Sequence, residues 1–588
     1  MDSKHVTEST SGQKDIQKTW WKEAIIYQIY PRSFQDSDGD GIGDLNGITS
    51  RLDYIQSLGV DIIWLNPIFL SPNDDNGYDI SDYREIMREF GTMEDFDRLL
   101  KEIHKRGMRL VLDLVVNHTS DEHPWFEEAR KSRHNPYYNY YHWWPAEKGE
   151  PPLRLSYFDE EGNAWMYNKS TDSYYLHYFS RKQPDLNWEN PEVRQEIFDM
   201  MRFWFDKGID GFRMDSISLI AKDPSFPLID SKKYPDIFSF YAKEPRLHLY
   251  LHEMNRQVLS KYDCMSVGEG SAVMVDDVAK FVDPAREELN MLYHFDAARI
   301  RNTTLPDNPE SGIDYSLIAL KKMFTEWDKA VDKGWPSIYL GNHDQPRMVS
   351  RFGSDKDEFR ALSAKMLITF LLTMKGTPYW FAGDEIGMRN IRFDRIENYN
   401  DIDTINRYKK AKAEGKDPQA VLDEQKETGR DNARTPFQWD RSPEAGFTAG
   451  TPWLKVNPDY TWINVTDEEK DPTSILNCFK KVVSFRKENP SLIYGSYHLL
   501  DAENPQSYTF LRKTGADTYL IMLNFSPKAA ISTPGIDMSN AHVLLDNYGA
   551  RSHMAPQKDI TLRPFEAIVF QLNHPVYESF IDSLDLLE

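Results

Sequence analysis

Residues 109–118 read "RLVLDLVVNH". The run is short, apolar and β-branched, so it predicts a strand, and it ends on polar groups: Asp113, Asn117 and His118. Seven further runs have the same character: "AIIYQIY" (24–30), "DIIWLNP" (61–67), "GFRMDS" (211–216), "MSVGEG" (265–270), "MLYHFD" (291–296), "SIYLGNHD" (337–344) and "TPYWFAG" (377–383). Amphipathic helical patterns such as "TMEDFDRLLKEIHKRG" and "NPEVRQEIFDMMRFWFDKG" lie between them. Strands separated by helices imply parallel pairing through right-handed crossovers. Eight such units are what a (β/α)8 TIM barrel needs.

The expected fold class is therefore α/β, with two departures from a bare barrel. Residues 119–190, between the third and fourth strands, are loop-like and aromatic ("HNPYYNYYHWWP"), as in an inserted lid subdomain. From 505 to 572 short strands alternate with turns, as in a C-terminal antiparallel β-sandwich domain. The barrel then occupies 19–118 and 191–504, with a charged, irregular insertion at 388–450. A flexible N-terminus (1–18) and an acidic tail (573–588) complete the chain.

The 588 residues carry a net charge of −23, which repels nucleic acid and anionic membranes and suits a neutral or cationic ligand. Aromatics reach 13%, a composition suited to stacking on sugar rings as well as to a large core. Two cysteines, Cys264 and Cys478, imply no disulfide framework. The first residues lack an apolar signal segment, and no apolar run approaches the roughly 18 residues of a membrane span. The expectation is a cytoplasmic protein, a monomer or weak dimer, with no nucleic-acid or membrane partner.

Catalytic residues of such barrels gather at the C-terminal strand ends. Here those ends bring together Asp113, Asn117, His118, Arg213, Asp215, Glu269, His343 and Asp344. There is no G-x-S-x-G elbow and no glycine-rich phosphate loop opening a helix. Paired carboxylates in an aromatic pocket for a neutral ligand point to glycoside hydrolysis, with one carboxylate attacking the anomeric carbon and the other passing a proton.

"DLVVNH" (113–118), "GFRMDS" (211–216), "VGEG" (267–270) and "LGNHD" (340–344) resemble, in order, the four signature regions of glycoside hydrolase family 13, the α-amylase family. "QPDLNW" (183–188), "SPNDDNGYDISDY" (71–83) and "GRDNARTPFQW" (429–439) resemble its oligo-1,6-glucosidase and α-glucosidase branch. The resemblance runs from about Trp20 to about Leu572. It implies Asp215 as nucleophile, Glu269 as general acid/base and Asp344 as the carboxylate that binds sugar hydroxyls. Arg213 keeps Asp215 ionised. His118 and His343 hydrogen-bond the sugar, Tyr78 stacks beneath it, and Phe179 and Gln183 form the wall. Asp75 and Arg430 match the pair that closes the pocket behind the terminal glucose. The implied activity is a retaining exo-α-glucosidase acting on isomalto- or malto-oligosaccharides or sucrose.

Two features need separate reading. "DSDGDGIGD" (36–44) looks like an EF-hand loop, yet its twelfth position is Gly47 and a strand precedes it. The resemblance instead implies a structural Ca²⁺ or Mg²⁺ site using Asp36, Asp38, Asp40 and Asp44 side chains and the Ile42 carbonyl, with no organic cofactor. Linkage preference stays open, because Ser216 follows the nucleophile where Val accompanies α-1,6 and Thr α-1,4 preference. "GSAV" after Glu269 also departs from the branch. The alternative is a sucrose isomerase or transglucosylase of the same family; the isomerase loop R-L-D-R-D is matched by "RIRNT" (299–303) only at Arg299. "RFDRI" (392–396) lies after the eighth strand, the wrong place for that loop. A non-catalytic binding protein of the same fold is a distant third.

Overall fold

The computed structural model describes residues 18–572 except 159–161, 231, 235–236, 516, 537, 539–540, 550 and 552–557. The expected flexible N-terminus, apart from Lys18, and the acidic tail lie outside the described residues.

All eight expected barrel strands form: β1 Ile26–Ile29, β2 Ile62–Leu65, β3 Arg109–Val115, β4 Gly211–Asp215, β5 Met265–Glu269, β6 Met291–Tyr293, β7 Ser337–Ile338 and β8 Thr377–Phe381. They make one sheet in the order β6-β5-β4-β3-β2-β1-β8-β7, and every pair is parallel. β7 is shorter than the run 337–344 suggests, because the chain leaves the ladder after Ile338. The seam between β6 and β7 is bridged instead by the Ser337 hydroxyl, which donates to the Leu292 carbonyl at 2.9 Å, and by the Tyr339 hydroxyl, which donates to the His294 carbonyl at 2.7 Å.

Strand side chains alternate between faces. One phase, Ile26, Ile62, Trp64, Val111, Met265, Val267, Met291, Tyr293 and Tyr379, packs together as the barrel interior. Continuing that phase toward the C-terminal ends places Asp113, Arg213, Asp215 and Glu269 on the same inner face. The opposite phase packs on the helical ring. Its helices begin and end where local chemistry dictates. Met93–Lys105 starts at a Thr92–Asp95 capping box. Pro191–Lys207 is capped by Asn190 and stopped by Gly208 in the left-handed conformation.

The lid insertion is more ordered than a loop reading suggests. Trp143–Pro145, Ser173–Leu176 and Trp165–Asn168 form a three-stranded antiparallel sheet. The stretch 388–450 also needs correction, since it contains the helices Ile402–Ala413 and Pro418–Thr428, capped by Asp401 and Asp417. Each buries only two residues, Thr404 and Ala411 or Leu422 and Gln425, so the apolar stripe that marks a helix in sequence is nearly absent.

The C-terminal domain begins at Ser496 rather than at 505. Its strands β9 Ser496–Leu500, β10 Ser507–Thr514, β11 Asp517–Asn524, β12 Ala541–Asp546 and β13 Ala567–Leu572 form an antiparallel sheet in the order β9-β10-β11-β13-β12. A two-stranded sheet, Ala530–Ser532 with Ile560–Leu562, packs on it through Leu511, Met522, Ile560, Leu562 and Phe570. No helix among the described residues is long and apolar enough to cross a membrane.

Candidate active site

At the C-terminal mouth of the barrel lies a cavity of about 380 Å³, lined among others by Asp75, Tyr78, His118, Phe179, Asp215, Glu269, His343, Asp344 and Arg430. Arg213 is its electrostatic centre. The guanidinium is wholly buried and reaches three carboxylates: Asp113 and Asp215 at 2.7 Å through Nη1, and Glu269 at 2.6 Å through Nη2. It also donates through Nε to the Tyr293 hydroxyl at 2.7 Å. One cation cannot neutralise three buried carboxylates, so the cluster retains protons. Burial pushes Glu269 up to about 8, against the pull of Arg213 and with help from Asp215. Burial also raises Asp215, against the pull of Arg213 and with help from Asp113, to about 6. Glu269 is thus the better proton carrier and Asp215 the better anion.

Asp344 is treated oppositely. Burial disfavours its charge, but the Arg430 and Arg434 guanidiniums more than offset this and hold the carboxyl well below the usual carboxylate range, with His343 Nε2 beside it at 3.2 Å. Arg434 Nη2 donates to its Oδ1 at 2.9 Å. Burial pushes His343 down to about 3, so the ring is neutral at physiological pH. Gln28 Nε2 donates to its Nδ1 at 2.8 Å, which leaves the proton on Nε2, 2.7 Å from the Tyr78 hydroxyl and 3.2 Å from Asp344. Tyr78 donates in turn to Asp113 at 2.9 Å and lies parallel to the His343 ring, with centroids 5.3 Å apart. His118 is fixed the same way: Asn117 Nδ2 faces Nδ1 at 3.2 Å, so Nε2 donates to the Tyr78 carbonyl at 2.9 Å. Its ring packs against Phe179 at 5.1 Å.

The far end of the cavity is closed. Arg430 meets Asp75 at 3.3 Å, Gln183 Nε2 donates to Asp75 at 3.2 Å, and the Phe158 ring lies under Arg430 at 4.9 Å. Burial lifts Asp75 to about 6 despite Arg430 and Arg434. Gln183 belongs to "QPDLNW", whose other members seat the lid on the barrel. Asp185 pairs with buried Lys222 at 3.0 Å, and Trp188 Nε1 donates to the Val116 carbonyl at 2.8 Å.

All eleven catalytic and substrate-binding candidates therefore gather at this one site, nine of them on the cavity wall, with Arg213 directly behind Asp215 and Gln183 behind Asp75. Sequence reasoning left out Arg434 and Asp401. Arg434 follows Arg430 by four residues, a spacing that places both on one helical side. Asp401, 2.5 Å from Arg430, gives no signal in sequence, because it reaches the site as the cap of a helix that was not foreseen. Ser216 holds φ = 42°, a left-handed conformation unusual outside glycine, and points its N–H at Glu269 Oε2 at 3.0 Å. The sequence also holds an H-x-x-x-H pair, His248 and His252, four apart on the helix Pro245–Gln257. It engages Glu288 and the Arg286 carbonyl, away from the cavity. Arg392 of "RFDRI" pairs with Asp355 and Glu427 and lines no part of the cavity.

In the loop 36–44, carboxylate oxygens of Asp36, Asp38 and Asp40 lie within 4.8 Å of one another. Asp44 stands apart from that group as the helix cap, accepting from Gly47 N at 2.7 Å and from Ser37. Ile42 donates its N–H to Asp40 at 2.8 Å. Gly41, at φ = 93°, allows the turn, since a Cβ there would sit 1.9 Å from the Thr451 carbonyl oxygen.

The profile of the alpha-amylase catalytic domain matches residues 28–495. The chain belongs to the alpha-amylase family of glycoside hydrolases. Within that family it is similar to an oligo-1,6-glucosidase of Parageobacillus thermoglucosidasius, 51% identical over 95% of this chain and 100% of the relative. It is 43% identical to an alpha-glucosidase of Pediococcus pentosaceus over 94% of this chain and 99% of the relative. Its fold matches that of the trehalulose synthase MutB from Pseudomonas mesoacidophila MX-45 with a TM-score of 0.89, at 43% identity, covering 94% of this chain and 99% of that one.

Proposed function

We propose that this chain is a retaining exo-acting α-glucosidase that releases glucose from the non-reducing end of short α-glucosides. The observation that carries this reading is a cavity with reactive carboxylates on its wall and a closed Asp75–Arg430 end. A pocket closed behind one sugar ring admits a chain end and not a chain interior. Asp215 attacks the anomeric carbon while Glu269 gives its proton to the departing oxygen; water then releases the sugar as Glu269 takes the proton back. Asp344, His118 and His343 grip the hydroxyls of the ring, with Tyr78 beneath it.

We further assign the loop 36–44 to a structural Ca²⁺ or Mg²⁺. The convergence of Asp36, Asp38 and Asp40 supports it, and hard cations take such oxygen donors. Asp44 and the Ile42 carbonyl complete the donor set in this assignment. When bound, the ion would pin the loop to the segment 447–453, which the loop already meets through Asp36 N to the Phe447 carbonyl and Trp453 N to the Gly41 carbonyl, both 3.0 Å. No step of the reaction passes through it.

Sucrose isomerisation is the second reading, favoured by the likeness to a trehalulose synthase. A product time course on isomaltose, maltose and sucrose, offered separately, decides. Free glucose from isomaltose or maltose supports the hydrolase and ranks the linkages. A rearranged disaccharide from sucrose with little free glucose overturns it.

A further inference from the structure

The loop after β5 departs from the branch pattern at "GSAV" (270–273), and the structure gives that departure a place in the site. Gly270 N donates to the Tyr293 carbonyl at 2.9 Å, and a Cβ on Gly270 would lie 2.6 Å from Leu292, so the chain turns tightly here. The turn brings the Ser271 hydroxyl to Glu269 Oε1 at 2.9 Å, where it donates. Arg299 Nη2 holds the Ser271 carbonyl at 2.7 Å and anchors the turn from the helix Asp296–Thr303. Both Ser271 and Arg299 line the cavity.

The two oxygens of Glu269 are therefore unequal. Oε2 accepts from Arg213 Nη2 at 2.6 Å and from Ser216 N at 3.0 Å, one a cation and one a fixed dipole. Those donors favour negative charge on Oε2, which leaves Oε1 as the oxygen that carries the proton. We propose that Ser271 is a positioning residue for the acid/base. Its hydroxyl fixes Oε1 toward the scissile oxygen and stabilises the charge that Oε1 gains as the proton leaves. The inference rests on the assignment of Glu269 as acid/base.

In the first step the Oε1–H proton passes to the glycosidic oxygen. The C–O bond breaks with its electron pair staying on that oxygen, and an Asp215 oxygen bonds the anomeric carbon. While Oε1 is protonated it accepts the Ser271 hydrogen bond weakly; once ionised it accepts it strongly. The interaction thus grows toward the transition state, which is what accelerates a step rather than merely tightening binding. Other groups act on Glu269 from every neighbouring strand: Asp113, Arg213 and Asp215, Tyr293, and Tyr339 and Asp344. Asp215 also shares a hydrogen bond with the Glu269 carboxyl, and Ser271 is the hydroxyl that donates to Oε1.

The test compares Ser271→Ala and Ser271→Thr with the unaltered chain on isomaltose or maltose and on 4-nitrophenyl α-glucoside, whose leaving group needs little protonation. Ser271→Ala is expected to lower kcat/KM on the disaccharide about tenfold and on the aryl glucoside far less. Its alkaline limb should move to higher pH, because a donor to the ionised form is gone. Ser271→Thr should restore both. Equal losses on the two substrates with an unmoved limb, or no loss at all, would overturn the role. An unaltered chain with no α-glucosidase activity would instead bring down the functional reading itself. A melting curve of each variant separates misfolding from mispositioning, and the pH limb of the folded fraction still reports on Ser271.

Discussion

Glu269 and Asp215 hang from the same guanidinium, and yet one must hold a proton while the other must lose it. The difference comes from the burial of each carboxyl and from the other groups around it. With Asp215 near 6 and Glu269 near 8, both in the required state only between those values, kcat/KM should trace a bell that falls below about pH 6 as Asp215 protonates and above about pH 8 as Glu269 ionises. The limbs belong to the coupled cluster and not to either residue alone. A profile flat from pH 5 to 9 would contradict the assignment. Asp75 acts at the same scale but binds rather than reacts. Asp75→Ala removes a carboxylate from a buried pair and leaves Arg430 to Asp401 and Asp344. KM for a disaccharide should rise by about tenfold or more, with a smaller change in kcat. Steady-state kinetics on isomaltose or maltose checks it.

At the scale of elements, the site depends on how separate pieces are tied. The lid is seated by the Asp185–Lys222 pair, the helix 402–413 and its cap deliver Asp401, Asp403 and Arg407 to the cavity side, and the helix 418–428 delivers Glu424 and Gln425. Among the ties between the barrel and the C-terminal domain is a buried lysine. Lys321, on the helix Leu317–Ala330, donates to the carbonyls of Asp501 at 3.1 Å, Asn504 at 2.7 Å and Ser507 at 3.2 Å. Lys321→Met would fill similar space and leave those acceptors without their donor. The expected cost is about 2–4 kcal/mol, read as a lower urea midpoint, with kcat of the folded enzyme unchanged. Loss of activity without loss of stability would mean the lysine serves the site.

At the scale of the molecule, the first loop of the barrel and the segment 447–453 are distant in sequence and clamped in space. If an ion fills the loop, removing it should loosen that clamp rather than stop the chemistry. Chelation is expected to lower Tm by a few degrees while kcat at room temperature stays nearly constant, and added Ca²⁺ or Mg²⁺ should restore Tm. Immediate loss of kcat at unchanged Tm would place the ion in the reaction instead. The net charge of −23 also predicts a protein that stays in solution and ignores polyanions.

Eight short β-branched runs and the polar residues at their ends were legible in the sequence, because buried parallel strands demand apolar runs and a barrel gathers its C-terminal strand ends in one place. The candidate residues were legible too, carried by motifs on those ends and by "GRDNARTPFQW". The tertiary structure alone decided what no local pattern encodes. The helices in 388–450 bury too little to show a stripe, and β9 at Ser496 is defined by pairing with β10 rather than by its own residues. Asp401 and Arg434 reach the site through packing. The protonation order of Asp215, Glu269 and Asp344 follows from which cations and donors meet each oxygen. Sequence determines which groups a strand end offers; only the fold brings three carboxylates within reach of one arginine and one serine hydroxyl to the oxygen that carries the proton.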